Sequence, residues 1–280
     1  RIYDFVESKY MQDISEEDKP IKSALVKARM IRLMQAATNP LLLKQPLKEV
    51  AEAEGIDLSG VTEDDSVLQT VLKYAETEVP AKFEKALELI QQITSNNGKV
   101  VVWACYIRTI GMFSEFLSKH GVRNKTLYGA TPVASDAILP ESEEYELTRE
   151  AIVKEFNDLS SGLNVIIANP FAVAESISLH KACHNAIYIE RSFNAAHFIQ
   201  SKDRIHRYGL PAGTTTNYYY LVSEDSIDET IDERLTVKEN RLIEIMESMP
   251  IPLFSNVIGD GGDEDVKAVL KDYARRIKTK

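Results

Sequence analysis

Cysteine is nearly absent: Cys105 and Cys183 are the only two in 280 residues. They lie in or beside apolar segments and show no CxxC or His-rich spacing. That excludes a disulfide framework and a Cys-based metal site, and reads as buried free thiols in a reducing compartment. Histidine is scarce too, with five. His120, His180, His184 and His197 fit neither HExxH nor a Cys/His pattern, so they read as core or surface residues rather than metal ligands. A long uncharged apolar run and a signal peptide are both lacking, which leaves a membrane or secreted reading without support. Positive charge is in deficit, with a net charge of −10 and a pI of about 5.2. A protein holding polyanions by broad attraction is thereby excluded, while a local phosphate-facing strip is not. No GxxxxGK[ST] string occurs, since Gly98-Lys99 lacks the earlier glycine and the Ser/Thr, and no apolar strand runs into an acidic DExx box. Alone, this polypeptide is not expected to hydrolyse a nucleoside triphosphate. A dinucleotide enzyme fails for want of a glycine-rich first turn.

What is present is the composition of an ordinary globular protein, 44% hydrophobic and 27% charged, with length enough for a real core. The chain opens at Arg1 without methionine, directly in helix-like sequence, and is expected to be part of a longer protein. Four stretches are expected: a helical segment over 1–48, an acidic insertion over 49–79, a central domain over 80–223 and packing helices over 224–280. The first holds a helix to Ala37, with Leu25, Ile31 and Met34 inward, stopped at Asn39-Pro40. The second, with EVAEAEGIDLSG and TEDD, reads as a solvated insertion.

AKFEKALELIQQI is an amphipathic helix, apolar at Phe83, Leu87, Leu89 and Ile90, and Asn96-Asn97-Gly98 turns it into a strand. From Lys99, strand and helix alternate through KVVVWAC, IRTIGMFSEFLSKHG, NKTLYG, LTREAIVKEFND, NVIIAN, NAIYIE, a further helix and TTNYYYLV. This predicts an α/β fold, a parallel sheet with right-handed crossovers and helices on both faces. Trp103, in a strand, reads as core. Ligands of such sheets bind beyond the carboxyl ends of the strands. That rule gathers Tyr106, Arg108 and Thr109, then Gly129 and Thr131, then Asn169 and Pro170, then Arg191 to Phe193, near helix N-termini that offer N–H groups to phosphate.

Phe193 to Pro211, FNAAHFIQSKDRIHRYGLP, is predicted as one helix, capped by Asn194, leaving through Gly209 and stopped by Pro211. Gln200, Asp203, Arg204 and Arg207 fall at i, i+3, i+4 and i+7 and form one polar stripe. Two arginines a turn apart make a rigid double fork suited to phosphate oxygens. A solvated face with an Asp203–Arg207 ion pair is the plainer alternative.

QSKDRIHRYG closely resembles motif VI of superfamily 2 helicases, in the QxxDRxHRxG form of the Swi/Snf-type branch. KVVVWACYIRT resembles motif IV, LYGAT the DGST-like turn after it, TREAIVKEFN the R…I..FN helix, and NVIIANPFAVAESISLHKACHNAIYIE motif V with the next strand. The resemblance implies a RecA-like C-terminal lobe, of P-loop NTPase type but without the P-loop, plus flanking helices. It implies that Arg204 and Arg207 reach, as arginine fingers, toward ATP held with Mg²⁺ mainly by an N-terminal RecA-like lobe, with Gln200 and Asp203 as supporting polar groups. Nucleic-acid contacts are implied at Tyr106, Arg108, Thr109, Gly129, Thr131, Asn169, Ser176 and Ser178, with DNA ahead of RNA. The expected activity is that of an ATP-dependent helicase or translocase, intracellular, and nuclear in a eukaryote. His206 is expected to orient its neighbours, and the helix over 224–249, apolar at Ile227, Ile231, Leu235 and Ile243, carries the family lysine at Lys238. Motif V departs from the family: Asn169, Pro170, Val173 and Ala174 stand where it has Ser/Thr and a glycine-rich string, which removes close backbone approach. That erosion and the acidic charge fit an alternative, a non-catalytic RecA-like scaffold in a larger assembly.

Overall fold

The computed structural model describes residues 2–12, 23–44, 71, 74, 78–134, 142–173, 177–207, 209–210, 213–248, 269, 271–273 and 275. In chain order the main elements are α1 (Ile2–Gln12), α2 (Ser23–Thr38), α3 (Ala81–Ser95), β1 (Val100–Trp103), α4 (Ile107–Lys119), β2 (Asn124–Leu127), α5 (Arg149–Asn157), β3 (Val165–Ala168), β4 (Asn185–Tyr188), α6 (Ala195–Lys202), β5 (Asn217–Tyr220) and α7 (Ile227–Ser248). They form two compact units. One comprises 81–191 with 196–221, and the other 1–80, 192–195 and 222–280. Most of the acidic stretch 49–79, and with it that expectation, lies outside the described residues. No helix among the described residues is long and apolar enough to cross a membrane.

The first unit is a five-stranded sheet in the order β2-β3-β1-β4-β5. All four pairings are parallel, as the continuous apolar runs predict. β1 is central, with Val100 opposite Val165 on one side and Asn185 on the other. Alternation along each strand then sorts the side chains. Val100, Val102, Val165, Ile167 and Ile187 share a core with Phe83, Ala86 and Ile90 of α3 and Ile110, Phe113 and Leu117 of α4. Phe83 and Phe113 meet there with ring centroids 4.9 Å apart. Each of the Val, Ile, Leu and Phe side chains here, fully buried, stabilises the fold by about 1.5–3 kcal/mol. On the opposite face, Tyr188 packs against Phe198 of α6 and Tyr220 of β5. The RecA-like α/β arrangement expected from the sequence is what forms.

The turn that delivers the chain into β1 is tightly made. Asn97 takes a left-handed φ of 59°, and the Gly98 amide donates to the Ile93 carbonyl at 3.0 Å. A Cβ at Gly98 would come within 2.8 Å of both that oxygen and Ile93 Cγ2, so only glycine fits.

In the second unit, α2 runs to Thr38, and the Asn39 side chain accepts from the Leu41 amide at 3.0 Å, so the stop predicted at Asn39-Pro40 is made by an Asx turn. Ile31 and Met34 are buried as expected, while the side chain of Leu25 is outside the described set. Ser223 Oγ donates to the Ala37 carbonyl at 2.7 Å, and α7 buries Ile227, Ile231 and Leu235.

Candidate nucleic-acid and nucleotide face

The carboxyl ends of β1, β2, β3 and β4 lie side by side, and backbone bonds carry the ladder into the loops. Ala104 N donates to Ala168 O, Asn169 N to Leu127 O, and Ile189 N to Trp103 O, at 2.9–3.0 Å. The strand-end residues gathered from the sequence are therefore neighbours. Their side chains divide into those that build the face and those that show on it.

Asn169 belongs to the builders. It is buried, donates from Nδ2 to Cys105 O at 2.8 Å, and accepts from the Phe171 and Ala172 amides, capping the short turn Pro170–Val173. Thr131 is buried, its hydroxyl accepting from Tyr128 N at 3.0 Å. Thr109 is fully buried, and Tyr106 is 5% exposed. Arg108 and Gly129 are exposed, and Arg108 makes no hydrogen bond or ion pair among the described residues. Ser178 is half-buried, its hydroxyl 2.9 Å from His180 Nδ1. Ser176 lies outside the described residues.

Two residues that organise this face had no role in the sequence reading. Arg149, first in α5, donates from Nη2 to Tyr128 O and Gly129 O, from Nε to Thr131 O and from Nη1 to Ala172 O, at 3.2–3.3 Å. One guanidinium thus clasps the turn after β2 to the turn after β3, and the fork of donors suits that task. Glu190, just past β4, is 5% exposed and accepts from Cys105 N and Tyr106 N on Oε2 and from the Thr109 hydroxyl on Oε1, at 2.9, 3.0 and 2.7 Å. Burial pushes its carboxyl up to about 7, against the pull of Thr109, the Tyr106 amide, Lys82 and the Cys105 amide. Lys82 is itself buried, with Nζ donating to Ile189 O at 3.0 Å. A glutamate ending the apolar run NAIYI was the available signal for Glu190. For Arg149 it was the arginine opening TREAIVKEFN.

The segment 193–211 departs from the single helix predicted. α6 ends at Lys202, and 203–205 form a turn. There Arg204 N reaches Ser201 O and Ile205 N reaches Lys202 O, both three residues back and both 3.3 Å long. The cause is tertiary, because the Arg204 carbonyl accepts from Leu179 N at 3.0 Å and Ile205 is fully buried. Gly209 does take the left-handed conformation, with φ +97°, whereas Pro211 lies outside the described residues. The polar stripe is therefore split. Gln200 ends in the helix, half-buried, its Oε1 without a hydrogen-bond partner among the described residues. Asp203 and His206 are exposed, and Asp203 forms no ion pair with Arg207. Arg204 is buried, with Nε on Gln200 O at 3.0 Å and Nη1 on Ile177 O at 3.3 Å. Arg207 is half-buried. Its guanidinium makes no hydrogen bond among the described residues, and it is one of the charges near His180. Burial first, then Arg207, Lys181 and His184, hold the His180 imidazole below its ordinary range.

No family model matches the chain. Helicase SWR1 of Debaryomyces hansenii is 25% identical over 150 residues, which are 54% of this chain and 8% of that protein. The chain thus matches only a small part of its relative's length. Among solved structures, the C-terminal part of the Fun30 ATPase domain aligns over 99% of this chain and 94% of its own, with a TM-score of 0.63 and 16% identity. The Sulfolobus solfataricus SWI2/SNF2 ATPase core in complex with dsDNA aligns over 98% of this chain and 46% of its own, with a TM-score of 0.59 and 15% identity. The sheet order and these structural likenesses agree in giving the chain a RecA-like α/β fold, and its partial sequence likeness is to a helicase.

Proposed function

We propose that the chain is the second motor lobe of an ATP-driven nucleic-acid translocase or helicase. The observation that carries this reading is the bond pair between the turn after α6 and the segment 177–179: Leu179 N donates to Arg204 O, and Arg204 Nη1 donates to Ile177 O. It joins the turn proposed to meet nucleotide to the loop proposed to meet nucleic acid, so a displacement of either is felt by the other. Arg204 keeps the turn in shape, and Arg207, three residues on, is the finger that extends to ATP. A guanidinium stays charged at any working pH and offers several donors to phosphoryl oxygens. Positive charge brought there as the cleft closes would stabilise the transferred phosphoryl group. Gln200 and Asp203 flank that approach. ATP and Mg²⁺ are assigned mainly to an N-terminal RecA-like lobe, since this sequence has neither phosphate loop nor acidic box.

Nucleic acid would lie across the strand-end face. Arg108 and Gly129 meet its backbone, and Ser178 lies on the neighbouring loop. Tyr106, Thr109, Thr131 and Asn169 shape the loops from beneath. Contacts of this kind hold phosphates and leave sequence unread, as a motor requires. The Sulfolobus core's complex with dsDNA supports duplex DNA as the partner. The test is ATP hydrolysis by the full-length protein with duplex DNA, single-stranded DNA or RNA. Duplex DNA is expected to stimulate most, and Arg207→Ala to lower stimulated turnover by about 10³-fold while nucleotide still binds. Near-normal turnover in that variant would remove the motor reading and leave a scaffold.

A further inference from the structure

In a sheet ordered β2-β3-β1-β4-β5, the connections from β1 and from β4 leave in opposite directions, so the crevice between their carboxyl ends is the place where α/β folds receive ligands. Here the crevice is already occupied by a carboxyl group of the chain itself. The Glu190 carboxyl group accepts from the Cys105 and Tyr106 amides at 2.9 and 3.0 Å and from the Thr109 hydroxyl at 2.7 Å. No side chain of Tyr106 caps α4, so the carboxyl group arriving from β4 serves the first turn of that helix. These bonds fall on residues 105, 106 and 109. They therefore bracket Ile107 and Arg108, both exposed on the same turn.

We propose that Glu190 is a positioning residue: by gripping the β1–α4 turn on both sides of Arg108, it fixes the direction in which that guanidinium meets a nucleic-acid backbone. The inference rests on reading the strand-end face as nucleic-acid-facing. Its sign opposes simple electrostatics, because deleting an acidic side chain from a protein of net charge −10 would by charge alone strengthen its hold on a polyanion. Positioning requires the reverse.

The experiment is fluorescence anisotropy of the protein with a labelled DNA duplex across a salt series, for Arg108→Ala, Glu190→Ala, their double variant, Glu190→Gln and Thr109→Val. Arg108→Ala is expected to reduce the slope of log affinity against log salt by about one phosphate contact. Glu190→Ala should weaken binding and reduce the slope equally, and the double variant should fall no further than either single one. Glu190→Gln keeps an oxygen for the two amides and should lose less affinity than Glu190→Ala. Should Glu190→Ala not fold, Thr109→Val, which removes the hydroxyl from Oε1 and keeps the shape, carries the test with a smaller loss of the same kind. An unchanged or raised affinity in a folded Glu190→Ala, or additive losses with Arg108→Ala, overturns the positioning role. If Arg108→Ala itself changes nothing, the nucleic-acid reading of the face fails first, and the inference falls with it.

Discussion

The guanidinium of Arg204 ends on the carbonyl oxygen of Ile177, 3.3 Å away, and both residues are buried. Nothing in the linear spacing of the two arginines separates their tasks, yet the fold does. One is held among backbone carbonyls, while the other follows in open turn structure.

That division predicts different failures. Arg204→Ala leaves the carbonyls of Gln200 and Ile177 short of a donor and should cost about 1–3 kcal/mol of folding stability. Arg207→Ala should change stability by less than about 0.5 kcal/mol, as a substitution away from any buried network. Urea unfolding of the two variants checks it, and equal losses would end the distinction.

His180 supplies a second check on where Arg207 sits. Its imidazole is held below the ordinary range mainly by burial and next by Arg207. Arg207→Ala should move the His180 titration upward, while burial keeps it from reaching that of a free histidine. A proton NMR titration of the C2–H signals reads this directly, and no movement would place Arg207 elsewhere.

Glu190 makes stability depend on pH in an unusual direction. With its pKa raised to about 7 in the folded state, from the ordinary 4.5, the folded protein binds the extra proton between those values. Its contribution to stability is thus fully present below about 4.5 and is lost as pH rises through 7, by on the order of 3 kcal/mol. Glu190→Gln cannot titrate. The stability of wild type relative to that variant should therefore fall between pH 5 and 8, as measured by urea midpoints at each pH. A flat difference would mean the carboxyl titrates normally.

Arg149 should be indispensable to the order of the face while touching nothing outside it. Arg149→Ala frees the carbonyls of Tyr128, Gly129, Thr131 and Ala172 together. Hydrogen exchange at the amides of 128–134 should rise by about tenfold or more, equivalent to ~1.4 kcal/mol of lost local stability. Arg149→Lys should recover only part of it, since an ammonium lacks the planar fork. Unchanged exchange would show that the two turns hold without the clasp.

The sheet was readable because β1, β3 and β4 are short apolar runs between turn residues, a pattern set by local residue type and burial on both faces. Gly209 takes the positive φ expected of it, although the helix it was to close ends seven residues earlier, at Lys202. The end of α6 was not readable, since what stops it at Lys202 is the amide of Leu179, more than twenty residues earlier. Glu190 and Arg149 escaped for the same reason. Each acts on backbone groups far along the chain, and a backbone amide or carbonyl leaves no trace in the sequence of side chains. The candidate face was therefore legible as a set of loops, while the bonds that hold those loops were not.

β1 lies in the middle of the sheet although it comes first in the chain. As the polypeptide grows from its amino end, VVVW is made well before either flanking strand exists, and its two rows of amides and carbonyls stay unsatisfied until residues 165–168 and 185–188 follow. Ordering must therefore wait for distant contacts, which makes it slow, and a chain interrupted before β4 carries a bare, sticky strand. The strand-end face can therefore close only once β4, about two thirds of the way along the sequence, has been made.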